Sequence, residues 1–334
     1  MNSQMQELKE PILVTGAAGF IGRRLVKRLL DKHLRVIAFD IMTCPESLQN
    51  EPLLSWQQGD ITSMQDVDRV VSQCETIFHL AAVVGDWGGA ELHRAITVEG
   101  TRNIFQAVLN SDPSKRVVLA SSIVVYSDQI NGHRCHEGMP HGKVLGPYSE
   151  CKQAQEVLAN QFVQKGLDIR IVRPANVYGA GSRPWVDDLC AELQKGMPAL
   201  IAGGNYNAGL VHVNNVVEVL ILAGQRCDAR GQIYNAADED GVTWKQYVKE
   251  LAQYCGAPKP RSIPRVVAAY LAKTGEATFR LLRIKSRPPL TEEALNLVGS
   301  EHQIDMSKTK SELGFKPVIH YAQGLDEIRH YLEH

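Results

Sequence analysis

Through the first half of the chain, short runs of apolar, β-branched residues alternate with stretches whose apolar positions recur every three or four residues. The runs Ile12–Thr15, Leu34–Phe39, Thr76–Leu80, Arg116–Ser121 and Asp168–Arg173 predict strands. Between them, Phe20–Leu30, Met64–Val71, Glu91–Leu109 and Tyr148–Val163 predict helices. Strand and helix in this rhythm imply an α/β fold, a doubly wound parallel sheet covered on both faces. The pattern loosens after Pro174, although a strand near Gln232–Ala236 is expected to return to the sheet. The segments 180–210 and 240–334 carry loops, prolines and short helices. The expected organisation is a first domain over 1–175, joined by the strand near 232–236, and a smaller α/β domain over 176–334 that caps the carboxyl edge.

Composition narrows the function classes. The 334 residues are 44% hydrophobic and 22% charged, with a formal net charge of −1. This is an ordinary globular balance without the basic excess of a nucleic-acid binder, so none is expected as a partner. The seven cysteines (44, 74, 135, 151, 190, 227 and 255) are odd in number and scattered, which suits a reducing compartment. The opening MNSQMQELKEP is too polar for a signal peptide, and no apolar run approaches the roughly 20 residues of a transmembrane helix. A cytoplasmic location is the resulting expectation.

Candidate chemistry begins at the first strand, which runs into TGAAGFIG, Thr15 to Gly22. Gly16, Gly19 and Gly22 stand where a strand turns into a helix, so the free N–H groups of that helix start, at Phe20, Ile21 and Gly22, can hold a pyrophosphate. Asp40 ends the second strand, where a carboxylate accepts from ribose hydroxyls and repels a 2′-phosphate. No arginine adjoins it, so NAD is expected over NADP. Asp60-Ile61 suits an adenine contact, or else Asp60 simply caps the following helix. After the next strand, His79-Leu80-Ala81-Ala82 offers small residues, letting backbone approach the cofactor.

Tyr148 and Lys152 stand four apart on a predicted helix and therefore share a face. An ammonium beside a phenol favours phenolate, so the Tyr148 pKa is expected to fall toward working pH and suit proton transfer. Ser121-Ser122 ends the preceding strand and offers a hydroxyl to a carbonyl oxygen. Together these features outline hydride chemistry on an alcohol or ketone.

As an ordered set, these motifs resemble the extended short-chain dehydrogenase/reductase superfamily. The set comprises TGAAGFIG, Asp40, Asp60-Ile61, HLAA, Val98-Glu-Gly-Thr-Arg-Asn103, Ser121-Ser122 with Val125-Tyr126, Tyr148/Lys152 and Arg173-Pro174-Ala-Asn-Val-Tyr-Gly179. The resemblance implies a Rossmann NAD-binding domain over 1–175 and a substrate domain over 176–334. It selects Ser122 as the catalytic serine and places Pro174 to Val177, with both of those residues as cofactor contacts, along the nicotinamide side. It implies that Lys152 holds the nicotinamide ribose. It also implies a homodimer, formed by packing the helices over Glu91–Leu109 and Tyr148–Val163 into a four-helix bundle. Thr97 stands where many relatives carry a relay asparagine. Val211-His-Val-Asn-Asn-Val216, Arg287-Pro-Pro-Leu-Thr291, Asp305-Met-Ser-Lys-Thr-Lys310 and Leu313-Gly-Phe-Lys-Pro317 are similar to the 3β-hydroxysteroid dehydrogenase-like subgroup. The implied activity is NAD-dependent oxidation or reduction of a bulky apolar, sterol-like or long-chain substrate. Alternatives are a sugar-nucleotide epimerase or dehydratase and a non-catalytic NAD-binding protein.

Several features bear on the substrate. Ile263–Arg283 carries Val266, Val267, Tyr270, Leu271, Phe279, Leu281 and Leu282 with a basic tail, Arg283, Lys285 and Arg287. It reads as a core helix of the small domain, a lid over an apolar substrate, or a surface in peripheral membrane contact. Trp87, in a glycine-rich loop, either stacks on a substrate ring or packs its own loop. His133, Cys135, His136 and His141 fit no standard zinc spacing, and an active-site flap with no metal is expected there. Arg183, Lys195 and Arg287 are the cations available for a diphosphate.

Overall fold

The computed structural model describes residues 5–284 and 286–334. Lys285 of the basic tail, and 1–4 of the polar N-terminus, lie outside the described residues. Five short apolar runs form β1 (Ile12–Thr15), β2 (Val36–Asp40), β3 (Leu54–Gln58), β4 (Thr76–His79) and β5 (Arg116–Ala120). With Asp168–Pro174 and Ile233–Ala236 they make a seven-stranded sheet. Across it the order is Ile233–Ala236, Asp168–Pro174, β5, β4, β1, β2, β3, and every pairing is parallel. The strand near 232–236 therefore returns to the sheet, as its apolar run implied.

β1 and β4 are buried throughout because helices cover both sheet faces. One face packs Leu25, Leu29, Val216 and Leu220; the other packs Val67, Ile104, Phe105, Leu158 and Phe162. Burying each such side chain contributes roughly 1.5–3 kcal/mol. Beyond residue 176 a further core gathers Tyr178, Trp244, Tyr247, Leu251 and Ile328. Met306, Leu313 and Phe315 from the same half pack instead onto the first face of the sheet.

The chain builds outward from β1 to β2 and β3, then crosses back to β4 and proceeds the other way. Connections that diverge at this switch open a crevice beyond the carboxyl ends of β1 and β4, where ligands bind in open α/β sheets. Thr15 and His79, partners in register, flank that point.

Three expectations change. The helix foreseen over Glu91–Leu109 is Ala90–His93 and Gly100–Ser111 joined by a π turn, Arg94–Glu99. The segment between Ser122 and Tyr148 is strapped down. Gln153 Nε2 donates to the Val125 and Gly142 carbonyls, and Arg134–Cys135 pairs with Gln303–Ile304. A flap needs fewer ties than these. Finally, the helix Arg265–Leu281 is no core helix: it buries only Ala268, Ala272 and Glu276.

Candidate active site

The glycine turn is sterically obligatory. Gly16 has φ +69°, and a Cβ there would lie 2.8 Å from the Ala81 amide nitrogen. A Cβ on Gly22 would lie 2.1 Å from the Gly16 carbonyl oxygen. Gly19 precedes the helix Phe20–Asp31, whose start has no side-chain cap among the described residues. The amides of Phe20, Ile21 and Gly22 thus form an uncapped positive helix end. Asp40 closes the turn: its Oδ2 accepts from the Ala18 amide at 2.9 Å and its Oδ1 from Met42 at 3.0 Å. Leu80 and Ala81 each donate an amide to Thr15 Oγ1 at 3.2 Å, which brings the HLAA backbone against the turn; Ala82 follows, half-buried. An uncapped helix end, a fixed carboxylate and a backbone approach that excludes any Cβ fit a dinucleotide.

Asp60 is not the cap of the next helix. Its Oδ1 accepts the amide and hydroxyl of Thr62, both at 2.8 Å, and Ser63 caps Met64–Val71 instead. Ile61 is buried beneath Gly100, whose missing Cβ makes room for it. Pro174 pairs with Ala236 at the end of its strand, and Val177 lies in the short strand Asn176–Tyr178 beside Val211.

Ser122, Tyr148 and Lys152 converge past the end of β5. Ser122 Oγ accepts from the Val124 amide at 3.2 Å, leaving its proton for the Tyr148 phenol oxygen. Ser121, by contrast, donates to Glu156 at 2.6 Å, so the two serines have separate partners. Tyr148 opens the helix Pro147–Gln164, directly after a proline at its first position. Its pKa departs from the expected fall. Desolvation pushes the phenol up to about 12, opposed by Ser122 and assisted by the Glu293 charge. The buried Lys152 ammonium donates to the Ala120 carbonyl at 2.8 Å and to Gln155 Oε1 at 3.0 Å. Burial draws Lys152 itself down to about 8.

A continuous polar chain leads from Lys152 back to the glycine turn. Gln155 Nε2 donates to Thr101 Oγ1 at 2.7 Å, and Thr101 in turn donates to the Thr97 carbonyl at 2.6 Å. His79 bridges Thr101, 2.8 Å from Nε2, and Thr15, 2.7 Å from Nδ1. Burial, then the Lys152 charge, lowers the imidazole to about 3, so it is neutral. With the Thr101 proton committed to a carbonyl, His79 must donate from Nε2 and accept from Thr15. The Thr97 carbonyl is thus occupied, and Thr97 Oγ1 accepts from the Val83 amide at 3.1 Å. Thr101 lies inside the V-E-G-T-R-N motif and Gln155 shares a helix face with Lys152, so spacing could have flagged both. Thr15 opens the TGAAGFIG motif, but its bond to His79 is long-range and no spacing announces it.

A second buried set backs Ser121. Glu156 accepts from Arg173 at 2.9 and 2.6 Å and pairs with His141 at 2.9 Å, while Arg173 stacks over Tyr126. Within the cluster of His133, Cys135, His136 and His141, His141 is thus bound to Glu156, while Cys135 Sγ turns to the Gln129 carbonyl. His133 and His136 are exposed.

Glu293 is a residue sequence reasoning did not single out. It reaches from the helix Glu292–Val298 to accept the Ser149 amide at 2.7 Å, capping the helix that bears Tyr148. A Cβ on Gly146 would fall 2.3 Å from Glu293 Oε2, so the glycine seats this carboxylate. The segment is anchored nearby. Arg287 grips Asp86 with two contacts of 2.6 Å, and Thr291 donates to the same carboxylate. Trp87 packs edge-on against Phe279 at 6.3 Å, a contact with the helix Arg265–Leu281 and not within its own loop. Of the cations considered for a diphosphate, Lys195 pairs with Glu192 at 2.9 Å and Arg183 lies 3.7 Å from Asp188. The three are thus each matched to an acid.

Fold and site define a Rossmann-type oxidoreductase. Residues 12–237 match the NAD dependent epimerase/dehydratase family. Short-chain dehydrogenase/reductase family 42E member 1 of Xenopus laevis is 28% identical, over 94% of this chain and 86% of the relative. A 3-beta-hydroxysteroid dehydrogenase of Mycolicibacterium neoaurum is also 28% identical, over 96% and 90%. Among solved structures, MoeE5 in complex with UDP-glucose and NAD superposes with a TM-score of 0.74 at 26% identity, covering 97% of this chain and 99% of that one. The chain belongs to the NAD dependent epimerase/dehydratase family and is an NAD-dependent oxidoreductase of the extended short-chain dehydrogenase/reductase type. Among the described residues, no helix is long and apolar enough to cross a membrane.

Proposed function

We propose that the enzyme interconverts a hydroxyl and a keto group on a bulky apolar molecule, sterol-like or long-chain. NAD is the cofactor and exchanges the hydride with the substrate carbon. Gly16, Gly19, Phe20, Ile21, Gly22, Asp40, Asp60, Ile61, Leu80, Ala81, Ala82, Pro174 and Val177 are the residues proposed to hold it, with Tyr148 and Lys152. Ser122 donates to the substrate oxygen. Tyr148 gives that oxygen its proton in reduction and takes it back in oxidation. At neutral pH a phenol raised to about 12 is protonated, the form reduction requires. Lys152 holds the ribose with a proton not committed to Ala120 or Gln155.

The observation that carries the substrate class is the Asp86–Arg287 pair, because it neutralises a cation at the rim beyond β4. A nucleotide sugar needs cations for its diphosphate, and of those considered above Arg287 is held bidentately by Asp86. The sugar-nucleotide epimerase or dehydratase reading retains support from MoeE5, whose solved complex holds UDP-glucose beside NAD. Purified enzyme with NAD and a panel of sterols, β-hydroxy long-chain acids and UDP- or dTDP-sugars separates the two. Net NADH with an apolar alcohol is expected; conversion of a nucleotide sugar without net NADH would reassign the enzyme.

Asp40 is proposed to set NAD over NADP. Asp40→Ala removes charge-assisted hydrogen bonds worth about 1.5–3 kcal/mol. Calorimetric titration should show NAD weakened tenfold or more and NADP gaining relative to it. Dimerisation through the helices Gly100–Ser111 and Pro147–Gln164 is a further proposal, in keeping with the exposure of Val157 on the second of them.

A further inference from the structure

The helix Arg265–Leu281 packs in the reverse sense of an ordinary surface helix. Its fully buried residues are small or ionic, Ala268, Ala272 and Glu276, and of its large apolar side chains Phe279 is half-buried, against Trp87. Its solvent side carries Val266 and Leu281, each 82% exposed, with Val267, Tyr270 and Leu271, and the strip continues into Leu282 and Ile284. Four-residue spacing sets Val266 beside Tyr270 and Val267 beside Leu271. A helix held in place by burial does the opposite. A contiguous exposed strip of this kind marks a surface that meets another apolar phase.

The charges identify which phase. Arg261, Arg265, Lys273 and Arg283 stand in and around the helix, while its one carboxylate, the buried Glu276, is paired with Arg280 at 2.7 Å. The whole chain carries a formal net charge of −1, so positive charge is concentrated on this segment. An apolar strip bordered by cations complements the boundary between acyl chains and anionic headgroups. Tyr270, with an apolar ring and a polar tip, suits that boundary.

We propose that the helix Arg265–Leu281 and the adjoining Leu282–Ile284 dock the enzyme on an anionic lipid surface. Docking does not depend on the proposed reaction. It does determine what faces the bilayer: Phe279 and Arg280 contact Trp87 in the loop that follows β4, so the docked edge adjoins the mouth of the crevice. A molecule dissolved in the bilayer then enters without crossing bulk water.

The test is sedimentation with vesicles of phosphatidylcholine alone or mixed with phosphatidylserine, paired with light scattering of the protein without lipid. Wild type should pellet with the anionic vesicles only. Val266→Asp/Leu281→Asp should stay in the supernatant, and Lys273→Ala/Arg283→Ala should weaken partitioning about five-fold per cation. All four positions are exposed, and circular dichroism with NAD titration checks the fold of each variant. Failure of wild type to bind anionic vesicles, or undiminished binding by the Asp variant, would overturn the proposal. So would a wild-type dimer that the Asp variant converts to monomers, because a second copy of the chain would then be what covers the strip.

Discussion

Tyr148→Phe is expected to lower turnover about 10²–10⁴-fold while still binding NAD. The ring and its place in the first turn of Pro147–Gln164 are retained, so positioning survives and only the exchangeable proton is lost. Because the phenol stands near 12, wild type holds that proton throughout the neutral range, and Ser122 supplies the neighbouring donor. Ser122→Ala should cost separately, by about 3 kcal/mol of oxyanion stabilisation. The measurements are kcat with the substrate found by the panel and calorimetric NAD binding. Near-normal kcat in Tyr148→Phe would remove this residue from the chemistry.

Glu293→Gln is expected to be more stable than wild type above pH 7 and to lose that advantage in acid. Burial pushes the Glu293 carboxyl up from its ordinary 4.5 to about 7, Asp86 adding to the rise and the Ser149 amide opposing it. The sign follows from linkage. An acid with a raised folded pKa contributes full stability below 4.5, and that contribution is lost as pH rises through about 7. The span corresponds to about 3 kcal/mol. Side-chain exposure is slight, at 2%, so solvent screening takes little from this figure. Glutamine keeps an acceptor for the Ser149 amide and cannot ionise. Thermal or urea unfolding of both proteins between pH 4 and 8 reads the difference directly; parallel stability curves would mean that Glu293 does not titrate in this window. Other groups facing Glu293 are the Tyr148 phenol and the Asp86–Arg287 pair, which stay fixed in charge across that range.

Much of the first half was legible because a parallel sheet buried on both faces writes continuous apolar runs, and its helices write a period near 3.6. Met64–Val71 matches its expected bounds, and the glycine turn, Asp40 and the Tyr148/Lys152 pair appear where local spacing placed them. What escaped was long-range. Glu293 caps a helix 144 residues away, and no periodicity encodes such a meeting. The Tyr148 pKa rises where spacing implies a fall, because a four-residue spacing reports proximity but says nothing of desolvation. The helix Arg265–Leu281 misled for a third reason: its amphipathic pattern specifies an apolar side without saying whether that side faces inward.

The chain from Lys152 through Gln155, Thr101 and His79 to Thr15 looks like a conduit, yet its donors meet head-on, Gln155 and His79 both donating to Thr101. Moving a proton through Thr101 would require one of the two arms to reverse its donors, against a Thr101 hydroxyl pinned by a backbone carbonyl and an imidazole too desolvated to charge. It is therefore a brace, not a wire. Substitutions along it should be strongly non-additive, since breaking any link releases the rest, and double-mutant cycles would register the cofactor turn and the lysine as a single mechanical unit.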